Sequence, residues 1–185
     1  MSELYHSVAH SRMTLTEHMI PSYANLGGKI HGGILLSLMD KVAYACAAKH
    51  SAKYCVTVSV DEVAFREPVE VGEMVSLLAS VNYVGRSSMV IGIKVVAENF
   101  QTGTVKHANT SFFTMVAKDE HGAPTEVPGL IVETRDDARR YLEAIKRREL
   151  ATRYRSEFDD SKSSLEIDKE LRALEGERYR LGPGL

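Results

Sequence analysis

The sequence predicts an α+β fold in which an antiparallel sheet wraps around one long central helix, with a C-terminal helical extension. One long helical pattern occurs early in the chain, from Ile34 to about Lys49, and four strand-like stretches joined by short turns follow it. Strands joined by short turns pair antiparallel, and the helix can cover their apolar face. We therefore assign residues 1–128 to a core domain and residues 129–185 to a charged, mainly helical extension.

The first elements are a strand within residues 10–18 and, after a turn-rich segment, the helix itself. At 100° per residue, the apolar residues of the helix fall on one arc of roughly 140°. Nearly all of the remaining helix positions are also apolar or small, so we expect the helix to be buried on more than one side. The residues of the arc are Ile34, Leu35, Leu38, Met39, Val42, Ala45 and Cys46.

The strands that follow are predicted from β-branched content and from alternation of apolar and other residues. Turns are predicted at Pro68 and Gly72, at Gly85-Arg86 and over residues 99–103. The result is a predicted meander of four consecutive strands. They cover residues 55–65, 75–83, 89–97 and 104–117.

The extension is predicted to form two polar helices with a break near residues 161–164 and a flexible end over residues 182–185. Residues 135–155 hold eight basic and four acidic residues, whereas residues 157–170 hold two basic and six acidic ones. These opposite blocks either solvate the extension or pair with each other. Three arginines of the first block, Arg139, Arg140 and Arg147, could contact phosphates, but we favour a role in keeping an oligomer-forming helix soluble.

Composition excludes several classes of protein. The formal net charge of −2 does not suggest nucleic-acid binding. No signal pattern and no apolar run near the ~18–20 residues of a membrane span are present, so we expect a cytoplasmic protein with no membrane partner. Cys46 and Cys55 lie in apolar stretches and are predicted to be reduced, packed thiols.

Two glycine pairs precede the central helix, Gly27-Gly28 and Gly32-Gly33. They are either ordinary turn residues or a means of exposing backbone N–H groups at the helix start. The first N–H groups of a helix lack intrahelical partners, and the helix dipole there is positive. Without side chains in the way, an anion or a carbonyl that becomes an oxyanion could approach Gly32 and Gly33.

Asp40 is an acid inside this mainly apolar helix, on the same face as the glycine-rich start. It is either a solvated helix residue or a functional group, and we favour function because a carboxylate is a poor choice beside apolar neighbours. Asn25 alone reads as a turn residue. His31 is either a helix cap or an acid–base group, and the cap is favoured.

The segment GRSS, comprising Gly85, Arg86, Ser87 and Ser88, is either an ordinary hairpin tip or a contact for phosphate. No zinc-ligand spacing, Walker loop, dinucleotide-binding glycine motif or GxSxG elbow is present. Metal chemistry and covalent serine catalysis are therefore disfavoured, and we predict no metal site.

Three motifs in order, NLGGKIHGGILLSLMD (25–40), TVSVDEVAFREPVEVGE (57–73) and VNYVGRSSMVIGIKV (81–95), resemble the single-hotdog acyl-coenzyme A (CoA) thioesterases, specifically the acyl-CoA hydrolase branch. The similarity covers residues 10–118. It implies a hotdog fold, acyl-CoA hydrolysis without a cofactor, since CoA is part of substrate and product, and obligate homodimers that often form trimers of dimers. Active sites in that family lie at the dimer interface.

The same resemblance implies roles for particular residues. Asn25 and Asp40 match the catalytic pair of the family, contributed by different protomers, with Asp40 as general base and Asn25 positioning water or substrate. The N–H groups of Gly32 and Gly33 would polarise the thioester carbonyl. The segment 85–88 matches the hairpin that contacts CoA in relatives, and Thr57 and Asp61 match a motif that lines the pocket.

Other functions remain open at this point. HGG at residues 31–33 also resembles the phenylacetate-type hotdog thioesterases, so an aryl-CoA substrate is an alternative. A non-catalytic acyl-CoA-binding sensor is a second alternative, although no helix-turn-helix precedes the first strand. A hotdog hydratase is a third, but its Asp-x-Asn-x-x-His pattern is missing from the sequence.

Overall fold

A computed structural model describes residues 4–172, 174 and 176–182 of the chain. The chain divides into two compact units, Met1–Ile145 and Lys146–Leu185. Most of the chain end expected to be flexible, residues 183–185, lies outside the described residues. None of the helices in the described part of the chain has the length and apolar character needed to cross a membrane.

The first unit is built on a five-stranded antiparallel sheet with the strand order β2-β4-β5-β6-β3. A short parallel pair, β1 with β7, lies outside that sheet. The strands are β1 (Tyr5–Ser7), β2 (Met13–His18), β3 (Tyr54–Val60), β4 (Met74–Val84), β5 (Ser88–Asn99), β6 (Thr104–Lys118) and β7 (Gly129–Ile131). The helices are α1 (Val8–Ser11), α2 (Gly32–Ser51), α3 (Arg135–Ser163) and α4 (Ile167–Arg172).

Helix α2 packs on one face of this sheet and confirms the predicted fold. Apolar side chains from α2 and from the inner face of the strands form one core. Its buried members include Leu35, Met39, Val42, Leu77, Ile91, Ile93, Phe113 and Met115. The opposite face of α2 is exposed in the single chain, where it carries Leu36, Asp40 and Tyr44. The prediction that α2 is buried on more than one side is therefore not confirmed in the single chain.

The prediction of a four-strand meander is wrong in the placement of its first strand. The meander holds for β4, β5 and β6, but β3 pairs with β6 at the far edge of the sheet. The strand also ends at Val60, because the segment 61–66 leaves the ladder after a bulge between Thr57 and Ser59. Separate contacts hold that segment: Asp61 N donates to Phe112 O at 2.9 Å, Arg66 N donates to Ala108 O at 3.1 Å, and Asn109 Nδ2 donates to Ala64 O at 2.7 Å.

Two of the elements that the sequence analysis missed are the short strands β1 and β7. They form a parallel pair in which Tyr5 lies opposite Gly129. A Cβ atom added at Gly129 would lie 2.2 Å from the Tyr5 ring, so glycine is required for this close approach. In the extension, α3 ends at Ser163 and α4 begins at Ile167, which agrees with the predicted break.

Three histidines meet at the C-terminal end of α2. The His6 ring donates to His50 O at 2.9 Å, and the His10 ring donates to Lys49 O at 3.2 Å, so both satisfy carbonyls of the last helical turn. His50 is fully buried, and its Nε2–H donates to Pro128 O at 3.0 Å. Its Nδ1 is buried with no partner among the described residues. Burial lowers the pKa of His50, with smaller contributions from the other two rings.

Acidification is therefore expected to destabilise the fold through His50. Below the ordinary histidine pKa of about 6.5, the unfolded chain binds a proton that buried His50 does not, so the free energy of unfolding falls as pH falls. We expect a smaller loss of stability between pH 7.5 and pH 5 in His50→Gln than in the wild type, measured by urea unfolding at both pH values. An equal loss in the two proteins would contradict this role of His50.

Candidate active site

Asp40 and Thr57 form a hydrogen-bonded pair between the central helix and the edge strand. Asp40 lies on the exposed face of α2, and Thr57 lies on β3. The Thr57 hydroxyl donates to Asp40 Oδ1 at 2.6 Å and lies 3.2 Å from Met115 Sδ. This contact fixes one carboxylate oxygen of Asp40 and leaves Oδ2 for another partner.

The pair lies in a cleft of about 410 Å³. The lining residues are Asp40, Lys41, Tyr44, Tyr54, Cys55, Val56, Thr57 and Met115. Asp40 is exposed in the single chain, although its neighbours along the helix are mainly apolar. Desolvation of this carboxylate requires another surface over the cleft.

The thiols of this unit are poorly suited to nucleophilic catalysis. Both cysteines are free and buried, as predicted. Burial raises the pKa of Cys46 to about 12 and also raises the pKa of Cys55, which lines the cleft. A thiol becomes a strong nucleophile when its pKa is lowered, so neither cysteine has the required environment.

Asn25 organises the loop before the central helix. Its Oδ1 accepts hydrogen bonds from the backbone N–H groups of Gly27, at 2.8 Å, and Lys29, at 3.2 Å. Its own N–H donates to Lys29 O at 2.7 Å, which closes the loop. The side chain is exposed, and its Nδ2 has no partner among the described residues. No hydrogen bond joins Asn25 to Asp40 within this described part of the chain.

The helix start offers one free glycine N–H, where the sequence analysis expected two. His31 is the N-cap of α2, and its Nδ1 accepts from Gly33 N at 2.9 Å. Gly33 N–H therefore already has a partner, whereas Gly32 N–H has none among the described residues. A Cβ atom at Gly32 would lie 3.2 Å from the Phe65 ring, so the ring packs closely over this turn.

The segment 85–88 forms the tight turn between β4 and β5. Gly85 N donates to Ser88 O at 2.7 Å, and a Cβ atom at Gly85 would lie 2.8 Å from Ser88 Oγ. Arg86 O accepts from a backbone N–H at 3.0 Å, and Arg86 itself is exposed. Because Met89, Met115 and Thr57 are successive partners across β5, β6 and β3, Ser88 lies about 10 Å from Thr57, two strand spacings away. Ser87 is the third residue of this turn, and its carbonyl accepts from Ala117 N of β6 at 2.9 Å.

Two other groups of residues that the sequence analysis considered have structural partners. Asp61 donates its backbone N–H to Phe112 O at 2.9 Å, beyond the end of β3. Arg139 forms ion pairs with Asp136 at 2.5 Å and Glu143 at 2.7 Å, and its hydrogen bond is the main reason that the pKa of Asp136 is lowered. The Arg139 guanidinium is thus already paired with two carboxylates of α3. Arg140 likewise pairs with Asp136, and Arg147 belongs to the second unit.

Sequence reasoning missed the contact that organises the site, the hydrogen bond from Thr57 to Asp40. No local pattern reports it, because it depends on the crossing of α2 over β3. Tyr44 and Tyr54, whose rings lie 6.3 Å apart in the cleft, were missed for the same reason. No group of three or more His, Cys, Asp or Glu side chains within the described residues is arranged to hold a metal ion.

Comparison with known proteins identifies similar chains. The family described as the thioesterase superfamily matches residues 27–104. Protein VdlD of Helicobacter pylori is 44% identical over 143 residues, which are 77% of this chain and 82% of the relative. The uncharacterized acyl-CoA thioester hydrolase YkhA of Bacillus subtilis is 36% identical, over 74% of this chain and 80% of the relative.

Solved structures show the same similarity. A hexameric acyl-CoA thioesterase superposes with a TM-score of 0.79 at 35% identity, covering 81% of this chain and 96% of the other. An acyl-CoA hydrolase from Staphylococcus aureus, solved with butyryl-CoA and CoA, superposes with a TM-score of 0.78 at 28% identity, covering 86% and 97%. Alanine variants of one asparagine, one aspartate and one threonine of that hydrolase have been solved. Those three residues have the same spacing along their chain as Asn25, Asp40 and Thr57.

Proposed function

The chain belongs to the thioesterase superfamily of hotdog acyl-CoA hydrolases, and we propose that it hydrolyses acyl-CoA to a free carboxylic acid and CoA. The observation that carries the proposal is the exposed carboxylate of Asp40, held by the Thr57 hydroxyl in an open cleft. The reaction needs no cofactor, because CoA is part of substrate and product. We further infer that it takes place in the cytoplasm, where both cysteines would stay reduced.

Asp40 acts in this proposal as the general base. Its carboxylate takes a proton from a water molecule as the water oxygen attacks the thioester carbonyl carbon. The tetrahedral intermediate collapses with cleavage of the carbon–sulfur bond, and the proton held by Asp40 passes to the departing CoA thiolate. The products are the free acid and the CoA thiol.

Thr57 acts as a positioning residue for the base. Its hydroxyl occupies Oδ1 of Asp40 and so directs Oδ2 towards the water. The same residue stands on the strand edge about 10 Å from the turn at 85–88, where we place the coenzyme. Gly85 gives that turn its shape, and Arg86 with the hydroxyls of Ser87 and Ser88 would contact phosphate oxygens.

We expect Thr57→Val to lower kcat about ten- to hundredfold with little change in KM, because one hydrogen bond to a charged group is worth about 1.5–3 kcal/mol. Thr57→Ser keeps the hydroxyl and should retain most of the wild-type rate. Steady-state kinetics with one acyl-CoA measures both parameters. A rise in KM with kcat unchanged would instead make Thr57 a substrate contact only.

The proposed oxyanion site combines Gly32 N–H with the Asn25 side chain. The Asn25 Oδ1 is committed to its own loop, so Nδ2 is the atom that remains to bind the water or the carbonyl oxygen. Gly32 N–H points from the positive end of α2 and would polarise the carbonyl as it becomes an oxyanion. The N–H of Gly33 is not available for this role, because it donates to His31 Nδ1.

A second copy of the chain would complete the site. Strand β3 ends the sheet order, and its exposed side includes Val58, which is 62% exposed. Apolar edge strands are prone to pair with another strand, and pairing through β3 would bring the exposed faces of two α2 helices together. We propose a homodimer of this kind, assembled into a trimer of dimers, in which Asn25 of one protomer and Asp40 of the other act in the same active site. The hexameric relative supports this assembly.

A panel of acyl-CoA substrates tests the activity itself. Purified protein is given short-chain, medium-chain and aryl-CoA thioesters, and free thiol is measured with a thiol reagent. Release of thiol from alkyl substrates supports acyl-CoA hydrolysis, and a strong preference for the aryl substrate would identify the phenylacetate-type enzyme. Binding of all substrates without thiol release would contradict hydrolysis and indicate a sensor.

A further inference from the structure

An apolar stripe on α3 remains exposed in the second unit of the chain. The α3 stripe consists of Leu150, Tyr154 and Phe158, which stand four residues apart and therefore share one face of the helix. Their exposed fractions are 52%, 70% and 55%, and the rings of Tyr154 and Phe158 stack with centroids 6.0 Å apart. Three large apolar side chains along one exposed helix face form a surface suited to a partner.

Charges of opposite sign flank this stripe on both sides. At 100° per residue, Arg155 and Asp159 lie along one flank, and Arg153, Glu157 and Asp160 lie along the other. Within one helix, Arg153 approaches Glu157 at 3.7 Å. On each flank the basic residues come before the stripe's centre, taken midway between Tyr154 and Phe158, and the acidic residues come after it.

We propose that the α3 stripe binds the α3 stripe of a second copy of this chain, with the two helices antiparallel. The two-fold axis passes midway between Tyr154 and Phe158, so Tyr154 faces the Phe158 of the second copy. Arg155 then meets the second copy's Asp159 on one flank. Arg153 meets the second copy's Asp160 on the other flank.

The charge pattern selects both the partner and the direction. A parallel pair would place arginine beside arginine and aspartate beside aspartate, which is unfavourable. An anionic lipid surface would suit the basic half but repel the acidic half, Glu157 to Glu170. The contact is symmetric and uses none of the residues of the β3 edge. This inference goes beyond the proposed function and does not depend on thioesterase activity.

Spin labels on the full-length protein test the arrangement. Lys162→Cys and Lys146→Cys are labelled in separate samples, since Cys46 and Cys55 are buried. Antiparallel pairing about the stated axis predicts label separations along the helix of about 18 Å at position 162 and about 30 Å at position 146. Pulsed electron paramagnetic resonance measures both distances. Equal short distances at the two positions, or no defined distance at either, would overturn the proposal.

Two variants of α3 provide the matched control. We expect Phe158→Ser to abolish both label distances, because it removes the ring that faces the second copy's Tyr154 in both halves of the symmetric pair. Leu142→Ser changes a similarly exposed leucine about 21 Å along the helix axis from the stripe's centre, beyond the antiparallel overlap, and should leave both distances unchanged. Distances that survive Phe158→Ser would show that another surface brings the labels together, and the proposal would fail.

Charge reversal tests the complementarity directly. A chain with Arg153→Glu and Arg155→Glu is acidic along the whole stripe, and a chain with Glu157→Arg, Asp159→Arg and Asp160→Arg is basic along it. Each chain alone should lose the distance between labels at position 162, and co-expression of the two should restore it. Retention of the distance in either chain alone, or no restoration on co-expression, would overturn the antiparallel pair.

Discussion

The Asp40→Asn variant is expected to fold like the wild type and to hydrolyse acyl-CoA about 10²- to 10⁴-fold more slowly. An amide has nearly the shape of the carboxylate and can still accept the Thr57 hydrogen bond through its oxygen. It cannot take a proton from water, so only the chemical step is lost. The expected change is in kcat, with KM close to the wild-type value.

A neutral change elsewhere provides the control for this result. Asp119 is an exposed acid in the turn after β6, where its Oδ1 accepts from two backbone N–H groups at 2.9 Å. Asp119→Asn keeps that acceptor and should retain full activity. A rate for Asp40→Asn within a few-fold of the wild-type rate would remove Asp40 from the chemistry.

Changes at Asn25 are expected to have the second largest effect. Both Asn25→Ala and Asn25→Asp lose the Nδ2 donor, and loss of one oxyanion donor costs about 10²- to 10³-fold in kcat. The two variants separate the donor from the loop, because Asn25→Asp keeps the Oδ1 that accepts from Gly27 and Lys29. We expect similar losses of rate in both.

The catalytic rate and the thermal stability of the two Asn25 variants, measured together, distinguish loss of the donor from weakening of the loop. Thermal unfolding should show Asn25→Asp close to the wild type and Asn25→Ala less stable, since only the alanine variant loses the loop hydrogen bonds. Activity that is retained in Asn25→Asp and lost in Asn25→Ala would mean that Asn25 shapes the loop and contributes no donor to the reaction.

The central helix and the strands β4, β5 and β6 were predictable because each has one buried face. Leu77 and Ile93 alternate with exposed or half-buried residues, and that period of two is a local signal. The position of β3 was not predictable in this way. Its partner β6 lies far along the chain, and alternation says nothing about which strand lies beside which.

The site was predictable in part for the same physical reason. Asp40 stood out because an acid is unusual among apolar helix neighbours, and that judgement needs only the sequence. The hydrogen bond from Thr57 depends on how the helix crosses the sheet, so it needed the structure. At the helix start, the sequence indicated that His31 could be a cap. Only the structure shows that this cap takes up the N–H of Gly33, which is then not available to a substrate.

Subunit complementation tests most directly the claim that the site is shared between two protomers. Asn25→Ala and Asp40→Asn chains, each nearly inactive alone, are co-expressed in equal amounts and purified together. Random pairing makes half of the dimers mixed, and each mixed dimer holds one site with both native residues, so we predict about a quarter of the wild-type specific activity. If both residues of a site came from the same chain, no site would be intact, and activity that stays at the level of the single variants would contradict the shared site.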